Sequence, residues 1–165
     1  MIPTLFTERL TLRPSRLADF PAYCGFIGGP RSRYMGGPHD AQTAWAWFCN
    51  DTASWSFYGF GGLTIEAGGA AVGMTGITHG PGFPEPELGW LLFDGAEGQG
   101  YAAEAAGALR DHLAPALPSL VSYIDPGNTR AIRLAERLGA RPDEAAATPS
   151  GGGCRVWRHD IGAGA

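Results

Sequence analysis

The sequence predicts one mixed α/β domain, in which a twisted sheet combines parallel and antiparallel strands and carries flanking helices. Three patterns predict it. Residues 58–66 and 70–78 read as two strands joined by Ala67-Gly68-Gly69, a hairpin turn. Residues 87–93 (ELGWLLF) form an almost unbroken apolar run, as in a strand buried on both faces, and lead through a glycine loop into an alanine-rich helix over 101–114. A further strand, 120–124, and a helix over 128–138 follow. The intervening helix is a crossover, so strands 87–93 and 120–124 are expected to run parallel.

The remaining elements follow in chain order. Residues 9–13 (RLTLR) alternate apolar and polar side chains, as a half-buried strand does. Asp19 with Pro21 starts a helix that Gly28-Gly29-Pro30 stops. The loop 28–40 is rich in Gly and Pro and holds Arg31, Arg33, Tyr34 and His39. Asp40 caps a helix whose apolar residues recur at Ala44, Trp45, Phe48, Thr52 and Trp55. Residues 79–86 (HGPGFPEP) are expected to be irregular, because prolines and glycines interrupt them throughout. Asp125-Pro126-Gly127 is a turn, and Gly139 ends the helix begun at Asn128. Residues 140–147 and 154–160 are expected to be two antiparallel strands, and 161–165 a loose tail.

Composition narrows the function. A chain of 165 residues suits a single core, so 1–165 is read as one domain; 44% hydrophobic and 17% charged residues fit a globular protein. No apolar run reaches the ~18 residues that cross a membrane. The first residues lack a basic start followed by an apolar stretch, so no signal peptide is expected. Cys24, Cys49 and Cys154 are odd in number and widely spaced, which argues against a disulfide framework or a metal site and for the cytoplasm. A net charge of −4 argues against a nucleic-acid partner. All 12 basic residues are arginine, which excludes a lysine-dependent phosphate loop and Schiff-base catalysis. The 26 glycines form neither a collagen period nor a linker block.

The most informative segment is Gly95-Ala96-Glu97-Gly98-Gln99-Gly100-Tyr101-Ala102. Where a loop enters a helix, backbone N–H groups converge and the helix dipole adds positive charge, so a phosphate binds without cationic side chains. Glycine lets the ligand approach the backbone. By itself such a loop serves equally well as a tight turn. Gly98, Gly100 and Ala103 also match the dinucleotide fingerprint G-x-G-x-x-A, but only about one further βα unit fits after Gly98, too few for a complete Rossmann-like domain.

Residues 7–160 resemble the GNAT acetyltransferase superfamily, and most of all its branch related to ribosomal-protein alanine N-acetyltransferases. The resemblance rests on Thr7-Glu8-Arg9-Leu10-Thr11-Leu12-Arg13-Pro14 with Asp19, on the run 55–61, and on Glu87-Leu88-Gly89-Trp90. It extends through Gly98-Gln99-Gly100-Tyr101-Ala102-Ala103-Glu104-Ala105 to Asn128, Ala131 and Ala135-Glu136-Arg137-Leu138-Gly139. It implies a strand pair that splays at a bulge and acetyl-CoA as cosubstrate. The backbone of Gly98, Gln99, Gly100, Tyr101, Ala102 and Ala103 would hold the pyrophosphate. Leu91, Leu92 and Phe93 would pair with the pantetheine arm, which Asn128 reaches; Asn128 equally suits an ordinary N-cap. Arg130, Arg133 and Arg137 share a helix face, and Arg133 is the choice for the adenine-end phosphate.

Two departures from the family pattern stand out. Glu97 replaces a Gln, Arg or Trp; a carboxylate beside a pyrophosphate is unfavourable unless its side chain turns to solvent, so coenzyme affinity is expected to be modest. Ala135 stands where many members carry a tyrosine acid, so the thiolate is expected to leave unaided, a thiol pKa being about 8.5.

The implied reaction is direct attack of a primary amine on acetyl-CoA in a ternary complex. Glu87 is the candidate base, with Glu85, His79 and His39 as lesser alternatives, and the backbone N–H of Leu92 is the candidate oxyanion donor. The loop 28–40 is expected to cover the acceptor, and the aromatic residues Trp45, Trp47, Trp55, Phe57, Tyr58 and Phe60 to build core and one cleft wall. The acceptor is either a protein N-terminus or a small-molecule amine, and the chain a monomer or a homodimer. The alternatives are a catalytically inactive coenzyme A-binding module, an acyltransferase for longer chains, and a dinucleotide-binding domain.

Overall fold

The computed structural model describes residues 1–162; of the expected tail, residues 163–165 lie outside the described residues. Its strands are β1 (Leu5–Phe6), β2 (Leu10–Arg13), β3 (Gly62–Ala67), β4 (Ala70–Gly80), β5 (Phe83–Leu92), β6 (Val121–Ile124), β7 (Arg141–Pro142) and β8 (Arg155–Arg158). Its helices are α1 (Phe20–Ile27), α2 (Ala41–Tyr58), α3 (Tyr101–Leu113) and α4 (Thr129–Arg137), with 3-10 turns at Leu17–Asp19, Pro30–Met35 and Ala114–Ala116. The strands form one mixed sheet in the order β1-β2-β3-β4-β5-β6-β8-β7. The pair β5 and β6 is parallel and the others are antiparallel, as the α3 crossover requires. A dinucleotide-binding domain would need a largely parallel sheet, so that alternative falls.

Alanine lets α3 lie close on the sheet. Ala102, Ala105, Ala106, Leu109 and Leu113 are buried against Leu12, Leu63, Ile65, Ile77, Leu88 and Leu92. On the opposite face Tyr23 and Ile27 of α1 and Ala44 and Phe48 of α2 pack on Met74 and Phe93. Ile124, Ala135, Ala140 and Trp157 close a smaller cluster under α4.

One buried ion pair ties α1 to the sheet. Arg13 donates to both oxygens of Asp19 at 2.8 and 2.9 Å and to Glu66 at 2.7 Å. Asp19 also accepts from the Arg16 N–H and the Thr64 hydroxyl. Burial pushes the Asp19 carboxyl up, but these donors hold it below its ordinary value.

Four expectations need correction. The strand expected over 58–66 begins only at Gly62, because α2 runs on to Tyr58 and ends at Gly59 in the left-handed region (φ 76°), whose N–H bonds Trp55 O. The run 79–86 is not irregular: β4 and β5 extend through it around Pro81-Gly82. Pro84 and Pro86 are tolerated because the β4–β5 register shifts at Thr78/Gly80 and β5 has no β6 partner before Glu87. The strand expected over 140–147 shrinks to Arg141–Pro142, after which Asp143 turns the chain by accepting the Ala145 N–H. Trp45 (45% exposed), Phe57 (79%) and Tyr58 (43%) are surface residues, not core.

Candidate active site

The site opens where β5 and β6 part. Their single register pair is Glu87↔Val121, whereas β5 stays paired with β4 as far as Gly73↔Leu92. Phe93 N–H donates to Val72 O at 2.9 Å, and Gly89 O accepts the Thr75 hydroxyl at 2.9 Å. Gly89, Leu91 and Phe93 therefore turn their backbone groups to β4, and by alternation Trp90 and Leu92 turn theirs to the gap. This corrects the expectation that Leu91, Leu92 and Phe93 all have free backbone groups. Trp90, missed in the sequence, takes their place beside Leu92, because strand parity depends on register with β4.

The gap widens into a cleft of about 790 Å³ between the sheet, α2, the Pro30–Met35 turn and the β6–α4 turn. Glu87 stands at its inner end. The Glu87 carboxylate accepts the Tyr123 N–H at 3.3 Å, and among the described residues it meets no cation. Burial pushes its pKa up to about 7, the Tyr123 N–H acting weakly the other way. A carboxylate poised near neutrality in a cleft suits proton transfer.

The other candidate bases fall away. Glu85 is held bidentately by Arg158 at 2.8 and 2.8 Å. Those bonds, against burial, draw its pKa down to about 2. His39 bonds Met35 O, His79 packs edge-on against Tyr58, and neither lines the cleft.

The glycine loop ends at the N-terminus of α3. Gly98 (φ 80°) and Gly100 (φ 79°) are left-handed, so glycine is needed there for backbone geometry. No side chain caps α3, and none of the N–H groups from Gly98, Gln99, Gly100, Tyr101, Ala102 and Ala103 donates to another described residue. Those unpaired donors at a helix N-terminus fit a pyrophosphate. Glu104, in the first turn, braces the loop: it accepts from Thr7 Oγ1 and from Arg9, whose guanidinium also reaches Gln99 O at 2.8 Å. A β-carbon added at Gly98 meets nothing within 4 Å. Asparagine tolerates the left-handed region. Gly98→Asn is expected to weaken acetyl-CoA binding about tenfold or more by calorimetry, with a thermal midpoint close to that of the parent. Unchanged affinity in a folded variant would place the phosphates elsewhere.

Arg31 is a further residue that sequence reasoning noted without its partners. It donates to Leu92 O at 2.8 Å and Asp94 at 2.9 Å, and its guanidinium lies 3.1 Å from Glu97. The Glu97 side chain does not turn to solvent; the Arg31 cation neutralises it. The 28–40 loop that supplies Arg31 is pinned by Ser32, whose hydroxyl bonds Ile27 O, and by Tyr34, which donates to Gly127 O at 3.0 Å across the cleft.

Asn128 caps α4 by accepting the Ala131 N–H at 3.2 Å, and it also lines the cleft, where its amide nitrogen has no acceptor among the described residues. Arg133 is exposed on α4 and does not line the cleft. Ala135 is fully buried beside Ile124 and Trp157, in place of any phenol.

The sequence profile of the acetyltransferase (GNAT) domain matches residues 9–141. The structure superimposes on an acetyltransferase from Agrobacterium tumefaciens strain C58 with a TM-score of 0.93 at 52% identity, covering 97% of this chain and 95% of that one. Two more distant proteins share the fold. The ribosomal L7/L12 alpha-N-protein acetyltransferase RimL, solved with coenzyme A, gives a TM-score of 0.72 at 15% identity over 94% of this chain and 96% of its own. The microcin C7 self-immunity acetyltransferase MccE, solved with acetyl-CoA and AMP, gives 0.69 at 13% identity over 92% of each chain. With a profile match over most of its length and this half-identical acetyltransferase, the chain belongs to the GNAT acetyltransferase family.

Proposed function

We propose that the protein transfers the acetyl group of acetyl-CoA to a primary amine by direct attack in a ternary complex. The observation that carries this reading is that the Glu87 carboxylate, with no cation against it, lines the same cleft as Trp90, Leu91 and Asn128 where β5 and β6 part. The pyrophosphate binds the N–H groups from Gly98 to Ala103. The pantetheine arm runs along the edge of Trp90 and the Leu92 N–H towards the Asn128 amide, the Leu92 carbonyl being held by Arg31, and Arg133 serves the adenine end from outside the cleft.

Glu87 takes the proton of the incoming ammonium. The amine nitrogen attacks the thioester carbonyl, its C–N bond forms, and Leu92 N–H faces the developing oxyanion. The C–S bond then breaks, the nitrogen passes its second proton through water to the departing thiolate, and Glu87 returns the first proton to solvent. A base matters because an amine of pKa about 10.4 is neutral in only about one molecule in a few thousand at pH 7, whereas an α-amine needs far less help. Among the described residues no helix is long and apolar enough to cross a membrane.

The test is thiol release from acetyl-CoA over a panel of small amines and peptide N-termini. Coenzyme binding with no acceptor turned over would identify an inactive binding module instead.

The Arg31–Glu97 pair gives a second test of coenzyme placement. Arg31→Ala leaves Glu97 unscreened beside the phosphates and is expected to weaken acetyl-CoA several-fold, roughly the scale of a partly exposed ion pair. Adding Glu97→Ala should return most of that loss, with a coupling that shrinks in high salt. Strictly additive effects would separate Glu97 from the coenzyme.

A further inference from the structure

The cleft holds a second carboxylate that coenzyme binding and proton abstraction leave unused. Asp51 lies on the sheet-facing side of α2, at helical spacing with Ala44, Phe48 and Trp55. That spacing on a buried face is where an apolar residue belongs. Asp51 lines the cleft, and among the described residues it has no hydrogen-bond donor and no cation within reach. Burial pushes its pKa up to about 7. Its charge also adds to the burial that raises the neighbouring Tyr23 phenol. The cleft's one arginine, Arg31, is already held by Asp94 and Glu97, and Asp125 is engaged by the Gly127 N–H.

A floor without side chains links Asp51 to Glu87. Gly62, Gly76 and Gly89 are cross-strand neighbours on β3, β4 and β5. A β-carbon on Gly62 would come within 2.8 Å of Asp51 Cβ, and one on Gly76 within 2.9 Å of Gly62 Cα. One on Gly89 would stand in open space, within the cleft. Glu87 lies two residues along β5 from Gly89, on the same face. With strands about 4.8 Å apart and a rise of about 3.4 Å per residue, Gly62 and Glu87 are separated by roughly 12 Å along this trough. An acceptor lying on the floor meets a carboxylate at each end.

We propose that Asp51 is an acceptor-binding residue and that the acceptor is a dication, a primary amine carrying a second cationic group that lies along the glycine floor and pairs with Asp51 while the reacting amine meets Glu87. This rests on the acetyl transfer proposed above. A monoamine of equal length fills the same trough but leaves the Asp51 charge desolvated and unpaired, which is the source of discrimination.

The experiment compares hexamethylenediamine with hexylamine on the wild type and on Asp51→Asn, which keeps shape and removes charge. On the wild type the diamine should have the higher kcat/KM, by about tenfold or more. Asp51→Asn should erase that advantage through KM, which rises for the diamine and stays level or falls for hexylamine, with acetyl-CoA affinity near its parent value. Calorimetry of both amines into the coenzyme A complex should show the same difference without turnover. If neither amine is acetylated but the diamine binds more tightly through Asp51, the acetyl-transfer reading fails and the charge recognition stands. If both amines are acetylated with equal efficiency, or Asp51→Asn changes both alike, the recognition proposal fails. An equal fall in kcat on both amines would make Asp51 the proton acceptor and overturn it likewise.

Discussion

Glu87→Gln is expected to lower turnover of a high-pKa amine by about a hundredfold or more while leaving acetyl-CoA affinity near that of the wild type. Glutamine keeps the shape and can still accept the Tyr123 N–H, but it cannot take a proton. In the wild type the rate should fall as pH drops through the Glu87 value of about 7, because only the ionised carboxylate is a base. The variant should lose that acid limb. An α-amine acceptor should suffer less, since at an intrinsic pKa of about 7.7–8.0 much of it is already neutral.

Stability supplies an independent check on Glu87. Its folded pKa lies above the ordinary 4.5, so the folded state holds the proton more tightly than the unfolded chain does. Stability therefore declines as pH rises from the unfolded value through the folded one, and stays lowered above it. Glutamine has no such cost. The variant should be the more stable protein above pH 7, with the gap closing towards pH 5. Wild-type rates on both kinds of amine would make Glu87 structural, and an unchanged gap across that range would show that its carboxyl is not desolvated.

The largest expected loss of stability comes from Asp19→Ala. It leaves the Arg13 guanidinium, 7% exposed, without its bidentate partner and strips the Arg16 N–H and Thr64 hydroxyl of an acceptor. Breaking a buried pair from one side typically costs about 3–5 kcal/mol, which for a domain of this size lowers Tm by roughly 10 °C. Because the Asp19 carboxyl is held below its ordinary value, its stabilisation is present above the unfolded pKa and is lost as pH falls through the folded one. The difference in stability between wild type and variant should therefore narrow in acid. Denaturant unfolding that shows a loss under about 1 kcal/mol would mean the pair is not insulated from water. Replacing both partners with apolar residues of similar volume should cost much less than Asp19→Ala.

The sequence by itself determined the elements whose signals are local. The Asp40 cap, the alternation of Leu10 and Leu12, the alanine face of α3 and the parallel direction of β5 and β6 all follow from spacing within a few residues or from a crossover length. So does the uncapped N-terminus of α3, because glycine, helix start and unpaired N–H groups lie in one short segment. Tertiary structure alone decided which groups meet across the sheet. Pro84 and Pro86 sit in a strand because β6 begins beyond them. Leu92 and Trp90, not Leu91 and Phe93, face the gap because register with β4 sets the parity. Glu85 loses its basicity to Arg158, more than 70 residues away in sequence. Glu97 gains a counter-ion from a loop that sequence patterns assign only to the acceptor side. Asp51 stands opposite Glu87 because three glycines on three strands align. Each depends on contacts between residues remote in the chain. A side chain's charge is written in the sequence, but its partners and its distance from water, which set what that charge can do, exist only once the sheet has assembled.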